Sequence, residues 1–519
     1  MEVPLTVIVG AGLLLTFVIY SFLVHPVYIS PLAKVPTAHW STSFSSLWAQ
    51  YYRVTHQITF RVHEAHQRFG SIVRIAPNEI SVNCVEGGLR TIYAGGYEKG
   101  SWYANVFNNY GIRPMFCMED RTSHSRRKRM ISNVYAKSTL QGSASLSAIS
   151  RTILSEKLLP QLNAYAASDQ AFDIYDIFTA VTLDMITAYT VGLGNGSAML
   201  DDLPYATQFT RAFKAGQRSY VWPQDLPMFT AFMTKIGLRE LIVPSRYAGA
   251  NVNIEDWVMG MCEKAESTLS SRSELQPEDY PTVYAQLRAG MLKTSEEKEM
   301  LDASLRYELA SELVDHIIAG FDTSSITLTW LTWQLSRPIN KDWQQRLQQE
   351  LAAHPTSDPK TLDSLPVLEA ILMETLRLNG AIPGNQPRIT PANATIGPPG
   401  QEYAGLPAGI RVQAQAWSIH RNPEVFPVPD EWQPGRWLDA TREQHQEMMR
   451  WFWAFGSGGR MCIGSNLALY EMKAIIALMW RHFTTEIEYD EGMVMNGGYQ
   501  AEPLGKNGRY LEIRLNKVR

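Results

Sequence analysis

The chain has 519 residues, with 47 Lys and Arg against 51 Asp and Glu, and this formal net charge of −4 excludes the basic footprint of a nucleic-acid binder. Its 45% hydrophobic and 19% charged residues fit an ordinary globular core, and no repeat or long linker divides it, so one large domain is expected. Cys84, Cys117, Cys262 and Cys462 are scattered without a C-x-x-C pair, which excludes a disulfide scaffold and a zinc or iron–sulfur site and points to a reducing compartment.

No charged residue occurs from position 4 to 24. About 21 residues at 1.5 Å rise cover roughly 32 Å, enough to cross a hydrocarbon core, so residues 1–25 are expected to be a membrane anchor. A cleaved signal peptide is the alternative, but the apolar run is longer than such a segment needs and no basic region precedes it. The first charge after the run is Lys34 and the one before it is Glu2, a weak bias that puts the bulk of the chain in the cytosol. Pro26, Pro31 and Pro36 predict a stiff neck within residues 26–60, with 61–519 as the main domain.

Beyond the neck, Ile72-Val73-Arg74-Ile75-Ala76 and Glu79-Ile80-Ser81-Val82 read as two strands joined by a Pro77-Asn78 turn. Residues 102–118 are aromatic and aperiodic, and read as a loop with apolar side chains. Residues 121–137 hold six basic side chains on a helical pattern, which is either a solvated face or a binding surface. Residues 150–300 are mostly helical, broken at 192–196, at 223–227 and at Pro244. The stripe Met228-Phe229-Thr230-Ala231-Phe232-Met233 reads as core rather than pocket.

Residues 302–333 form a long helical pattern, ended by Pro338 and carrying Ala319-Gly320-Phe321-Asp322-Thr323-Ser324. Gly320 costs about 1 kcal/mol relative to alanine, which suggests close passage past a cofactor. Thr323 can turn its hydroxyl onto the Ala319 carbonyl and open a groove; an ordinary back-bonded threonine beside a solvated aspartate is the alternative. Leu365-Pro366 then enters a helix on which Glu374 and Arg377 share a face. Arg388 follows the proline-rich turn 383–387, and Pro434-Gly435-Arg436-Trp437 follows later. Last comes Phe455-Gly456-Ser457-Gly458-Gly459-Arg460-Met461-Cys462-Ile463-Gly464, running into an apolar helix. Cys462 reads as a metal-bound thiolate, because backbone N–H groups and the helix N-terminus favour its anion. A Cβ at Gly456, Gly458 or Gly464 is expected to clash with a flat cofactor, Phe455 to cover the sulfur, and Arg460 to reach an acidic edge. A dinucleotide loop is rejected because the third glycine of G-x-G-x-x-G is missing.

This loop resembles the haem-binding signature Phe-x-x-Gly-x-x-x-Cys-x-Gly of the cytochrome P450 monooxygenases, matched at Phe455, Gly458, Cys462 and Gly464. The resemblance implies a mainly α fold with small β-sheets behind a single N-terminal transmembrane helix. It implies haem b (iron protoporphyrin IX) with Cys462 as axial ligand, and Phe455, Gly456 and Gly464 around it. Arg460, Arg388 and the pair His124 and Lys128 would meet its propionates. Lys128 departs from the arginine of the family's pattern, so Arg127 or Arg129 could share its work. Asp322 and Thr323 would deliver protons to dioxygen, with Asp322 connecting to bulk solvent. Glu374, Arg377 and Arg436 would be buried together, residues 205–246 would form a lid, 102–118 would lie over the substrate and 496–503 would turn at the pocket rim. The implied activity is oxidation of an apolar small molecule, an intermediate of fungal secondary metabolism, with electrons from an NADPH–cytochrome P450 reductase or cytochrome b5. The implied place is the endoplasmic reticulum membrane, with the catalytic domain in the cytosol. A reductase-independent haem-thiolate isomerase or dehydratase and a haem-binding sensor or carrier are the rival classes; the Asp322-Thr323 pair argues against both.

Overall fold

A computed structural model describes residues 5–271, 274–294 and 302–518. The apolar amino end forms a helix, Leu5–Ile19, that continues as a π-helix through Tyr20–Ile29. No residue of Thr6–Ile29 is buried against the protein, and its 24 residues suit a bilayer, so it is a candidate membrane anchor. The helix runs through Pro26, where the neck was expected to begin. The wider π turn dispenses with the i−4 bond that proline cannot donate. Glu2, on which the orientation reading leans, lies outside the described residues.

The neck is held by one buried arginine. Arg74 donates to the carbonyls of Pro26 (2.8 Å), Leu32 (3.4 Å), Ser43 (3.0 Å) and Pro77 (2.7 Å). Burial alone lowers it to about 10.

Among the described residues nine short strands make three sheets: β1 (Ile72–Ala76), β2 (Glu79–Val82), β3 (Phe172–Asp173), β4 (Arg388–Ile389), β5 (Ala394–Ile396), β6 (Tyr403–Leu406), β7 (Arg411–Gln413), β8 (Phe483–Tyr489) and β9 (Glu512–Lys517). The largest has the order β1-β2-β7-β4, with β1 and β2 antiparallel across the Pro77-Asn78 turn and β2 parallel to β7. The other two are β3-β9-β8 and the β5-β6 hairpin. The rest is chiefly helix.

The 34-residue helix Ala303–Ser336 is capped by Asp302, whose carboxylate accepts from Leu305 N at 2.9 Å. It crosses Ile174–Val191, an apolar helix buried along nearly all its length. At the crossing a Cβ on Gly320 would lie 2.6 Å from Ile186 Cγ1. Gly320 is therefore required by helix contact, not by the expected approach of a cofactor alone. Beside it, Thr182 Oγ1 donates to Phe321 O at 3.1 Å, tying the two helices through a polar bond.

The stripe 228–233 differs from expectation. Met228 is 86% exposed and Phe232 55%, on a helix, Pro227–Lys235, with no buried residue. Ile236, Leu238 and Leu241 are exposed next to it, so the stripe is an outer apolar patch rather than core.

Glu374 and Arg377 are fully buried on Pro366–Asn379. Arg377 Nε and Nη2 donate to the two Glu374 oxygens at 2.9 and 2.8 Å, and Arg436 Nε donates at 3.0 Å. This clamp fixes the segment that leads to the site.

Candidate active site

The 455–464 loop closes where Cys462 N donates to Phe455 O at 2.9 Å. Gly456 and Gly458 adopt left-handed φ of 69° and 70°. A Cβ on Gly458 would stand 2.3 Å from Tyr93 O, so this glycine seats the loop on the segment Val85–Ala94 rather than beneath a cofactor. A Cβ on Gly459 or Gly464 would meet nothing within 4 Å, so neither glycine is needed to avoid protein atoms; the space beside them is open. Among the four cysteines only Cys462 is exposed, and what it faces is an internal cavity. Surrounding atoms raise its thiol by burial, while the N–H groups of Gly464 and Ser465 and the Lys128 ammonium work in the opposite direction. Burial pushes Cys84 and Cys262 up to about 12, as inert thiols.

The cavity, about 290 Å³, lies between this loop and the middle of Ala303–Ser336. Phe455, Arg460, Cys462 and Gly464 line one side; Ala319, Gly320 and Thr323 line the other. Gly456 is not part of the lining; its Cβ would be 3.9 Å from Gln386 Oε1.

The cavity's edge is cationic. Arg460 donates to the carbonyls of Met118 (2.5 Å), Glu119 (2.8 Å) and Asp120 (3.0 Å), and burial with the neighbouring Arg388 lowers it to about 10. Arg388 is buried, donates to Tyr103 Oη at 3.0 Å and lies 4.9 Å from the Tyr93 ring centroid. Lys128 Nζ spans the carbonyls of Gly459 (3.0 Å) and Met461 (3.3 Å). Burial, then Arg460, Lys99, Lys128 and Arg388, lowers His124 to about 3, so the ring is neutral. Lys99 Nζ donates to Phe116 O at 2.6 Å, and burial with Arg388 and Arg460 holds it well below the usual range. Among the described residues none of Lys99, Lys128, Arg388 and Arg460 is ion-paired to a carboxylate. Such converging, unneutralised charge costs free energy unless an anion joins it. A flat group with a carboxylate edge, held by Cys462, fits both the charge and the open space beside Gly459 and Gly464.

The other basic residues of Arg121–Ile131 do not reach this edge. Arg127, expected to share the work of Lys128, is held by Glu308 (2.8 Å) and Glu312 (3.0 Å), and Arg129 is exposed.

On the opposite wall Thr323 Oγ1 donates to Ala319 O at 2.9 Å, the back-bond its position suggests. Asp322 is not the solvated group envisaged. It is 1% exposed, ion-paired to Lys214, and accepts from Gln500 Nε2 at 2.9 Å. Lys214 also meets Glu502 at 2.8 Å, and these two carboxylates keep its ammonium well above the usual range despite burial. Lys214 thus joins the buried Asp322 to Glu502, whose side chain is 12% exposed.

Sequence reasoning missed Lys99, Lys214, Glu502 and Asp315. Asp315 had a readable signal, since 315, 319 and 323 fall at i, i+4 and i+8 on one helical face. The partners of Asp322 come from distant segments and left none.

The cytochrome P450 family profile matches residues 36–498. The chain is 29% identical to the cytochrome P450 monooxygenase avaI of Aspergillus versicolor, over 79% of this chain and 94% of that protein. It is 25% identical to the monooxygenase sdnE of Sordaria araneosa, over 91% and 90%. It is 27% identical to the tryprostatin B 6-hydroxylase of Aspergillus fumigatus, over 93% and 78%.

Proposed function

The chain belongs to the cytochrome P450 family and is a monooxygenase, and from that premise we propose that it oxidises an apolar small molecule, an intermediate of secondary metabolism, with electrons from an NADPH-dependent flavoprotein reductase. The observation that carries this reading is the cavity with Cys462 on one wall, Thr323 on the other and unpaired cations at its edge. Haem b is the group that fits, and a thiolate-ligated haem supplies dioxygen activation when bound. Cys462 would hold its iron through the thiolate, with Arg388, Arg460, Lys128 and His124 around its carboxylates and Phe455 beside the sulfur. Thr323 holds a hydroxyl at the wall opposite Cys462, and Asp322, Lys214 and Glu502 would form the buried path for protons from the rim. Hydroxylation is favoured because one relative is named a hydroxylase of tryprostatin B.

The Thr6–Ile29 helix would anchor the protein in the endoplasmic reticulum, catalytic domain in the cytosol, with the 228–241 apolar patch touching the same membrane. The test is product formation by the full-length, haem-loaded enzyme with reductase, read by mass against candidate metabolites. All of NADPH, reductase and dioxygen are expected to be required. Product without NADPH would instead support an isomerase or dehydratase.

A further inference from the structure

Asp315 stands one turn before Ala319 and two before Thr323, and all three line the cavity. Among the described residues its carboxylate makes no hydrogen bond and no ion pair. The other carboxylates of this helix near the cavity are engaged: Glu312 holds Met115 N and Arg127, and Asp322 holds Lys214. Burial pushes Asp315 up to about 7, with Lys99 drawing it down. Glu312, Cys117, Tyr135 and Tyr499 also feel its charge. The same lining holds Phe107, Phe116 and Tyr499, whose rings pack at 5.3 Å (Phe107 to Phe116) and 6.3 Å (Phe107 to Tyr499), with Lys99 Nζ 4.0 Å from the Phe116 centroid.

An unpaired carboxylate on the wall of a cavity that also holds aromatic rings is a site for an ammonium group, which a carboxylate pairs and ring quadrupoles attract. Lys99 opposes such a cation, but it belongs to the cationic edge, where an acidic cofactor rim would offset it. We propose that Asp315 anchors the substrate, and that the cavity takes an apolar molecule carrying one protonated nitrogen, its carbon skeleton extending toward Thr323. This rests on the monooxygenase reading and names the substrate class for the same site.

The experiment uses the haem-loaded, full-length enzyme in detergent and two probes of similar shape: N,N-dimethyl-4-phenylbutylamine, a tertiary amine too crowded to ligate iron well, and the neutral N,N-dimethyl-4-phenylbutanamide. Binding is read from the Soret shift. At pH 7 the wild type should bind the amine about tenfold to a hundredfold more tightly than the amide. Asp315→Asn should bring that ratio to about one with haem content unchanged, and Asp315→Glu should keep part of it. In the wild type the ratio should also fall from pH 8 to pH 6 as the carboxyl protonates, a readout that survives if the Asn variant folds poorly. Equal binding of the two probes by the wild type, or an unchanged ratio in Asp315→Asn, overturns the proposal. The carbon monoxide difference spectrum of the same sample separates the two failures. A normal thiolate-haem band with no amine preference sinks only the role of Asp315; absence of the band sinks the monooxygenase reading beneath it.

Discussion

Two buried charge systems flank the cavity, and they are built to different ends. In the clamp, Glu374 accepts from Arg377, Arg436, Trp437 Nε1 and Gln433 N, while Arg377 also donates to the carbonyls of His420, Pro429 and Glu431. Glu374 and Arg377 have no side-chain exposure. In the distal system Lys214 joins Asp322 and Glu502 across three segments distant in sequence, and its outer member meets the rim. In the first every donor of Arg377 is matched and, among the described residues, only Arg436 Nη2 is left without a partner, so it holds one geometry. The second has two carboxylates sharing one ammonium and an end near water, on segments distant in sequence. Ion pairs with similar chemistry thus differ in how completely their groups are matched, and on the proposed function the saturated arginine serves rigidity while the shared ammonium serves transfer.

The sharpest break between a scaffold and a reacting centre is at Cys462. Cys462→Ala should abolish product formation, and the reduced carbon monoxide complex should lose its red-shifted Soret band while the fold remains. A retained band would make another cysteine the ligand. Next come the two charge systems, tested by shape-conserving changes. Glu374→Gln strands Arg377 and Arg436 and should cost about 3–5 kcal/mol of stability in urea denaturation, with haem loss following. Asp322→Asn leaves Lys214 paired with Glu502, so its stability loss should be smaller, but product formation should fall by roughly a hundredfold with a larger solvent isotope effect. If Asp322→Asn were merely destabilising, with normal turnover in the folded fraction, the distinction between the systems would fail. A smaller effect is expected of Thr323→Ala: haem content and substrate binding intact, and a several-fold lower ratio of product to NADPH as peroxide accumulates. An unchanged ratio would remove Thr323 from proton delivery.

What could be read in the sequence was what depends on near neighbours. The Cys462 loop, the apolar amino helix, the Pro77-Asn78 turn, the Thr323 back-bond and the Glu374-Arg377 spacing are all local patterns whose geometry a few residues determine. What could not be read was set by contacts across the fold. Ile186 explains Gly320, Tyr93 explains Gly458, and Glu308 with Glu312 draw Arg127 away from the cavity. The 228–233 stripe shows the same limit from the other side: periodicity marks apolar residues but not whether protein covers them.

The smallest effect is predicted at the cavity's edge, where the comparison is between a point charge and a fork. Lys128 Nζ bridges the Gly459 and Met461 carbonyls on either side of Arg460, so it steadies the loop that carries Cys462 as well as adding positive potential. An arginine has donors enough for both carbonyls and a carboxylate, and the helix Arg121–Ile131 already supports a long side chain there. Lys128→Arg should therefore change stability by no more than about 0.5 kcal/mol and leave haem retention equal or slightly better. Lys128→Glu removes a donor from two carbonyls and sets an anion against them, so haem should dissociate faster, read as transfer to apomyoglobin. Neutral Lys128→Met should fall between the two, because Arg388, Arg460 and Lys99 still supply charge while the loop carbonyls lose their bridge. Equal haem retention in wild type and Lys128→Glu would show that this helix face contributes neither to the loop nor to the cofactor's edge, leaving the other three cations to hold it alone.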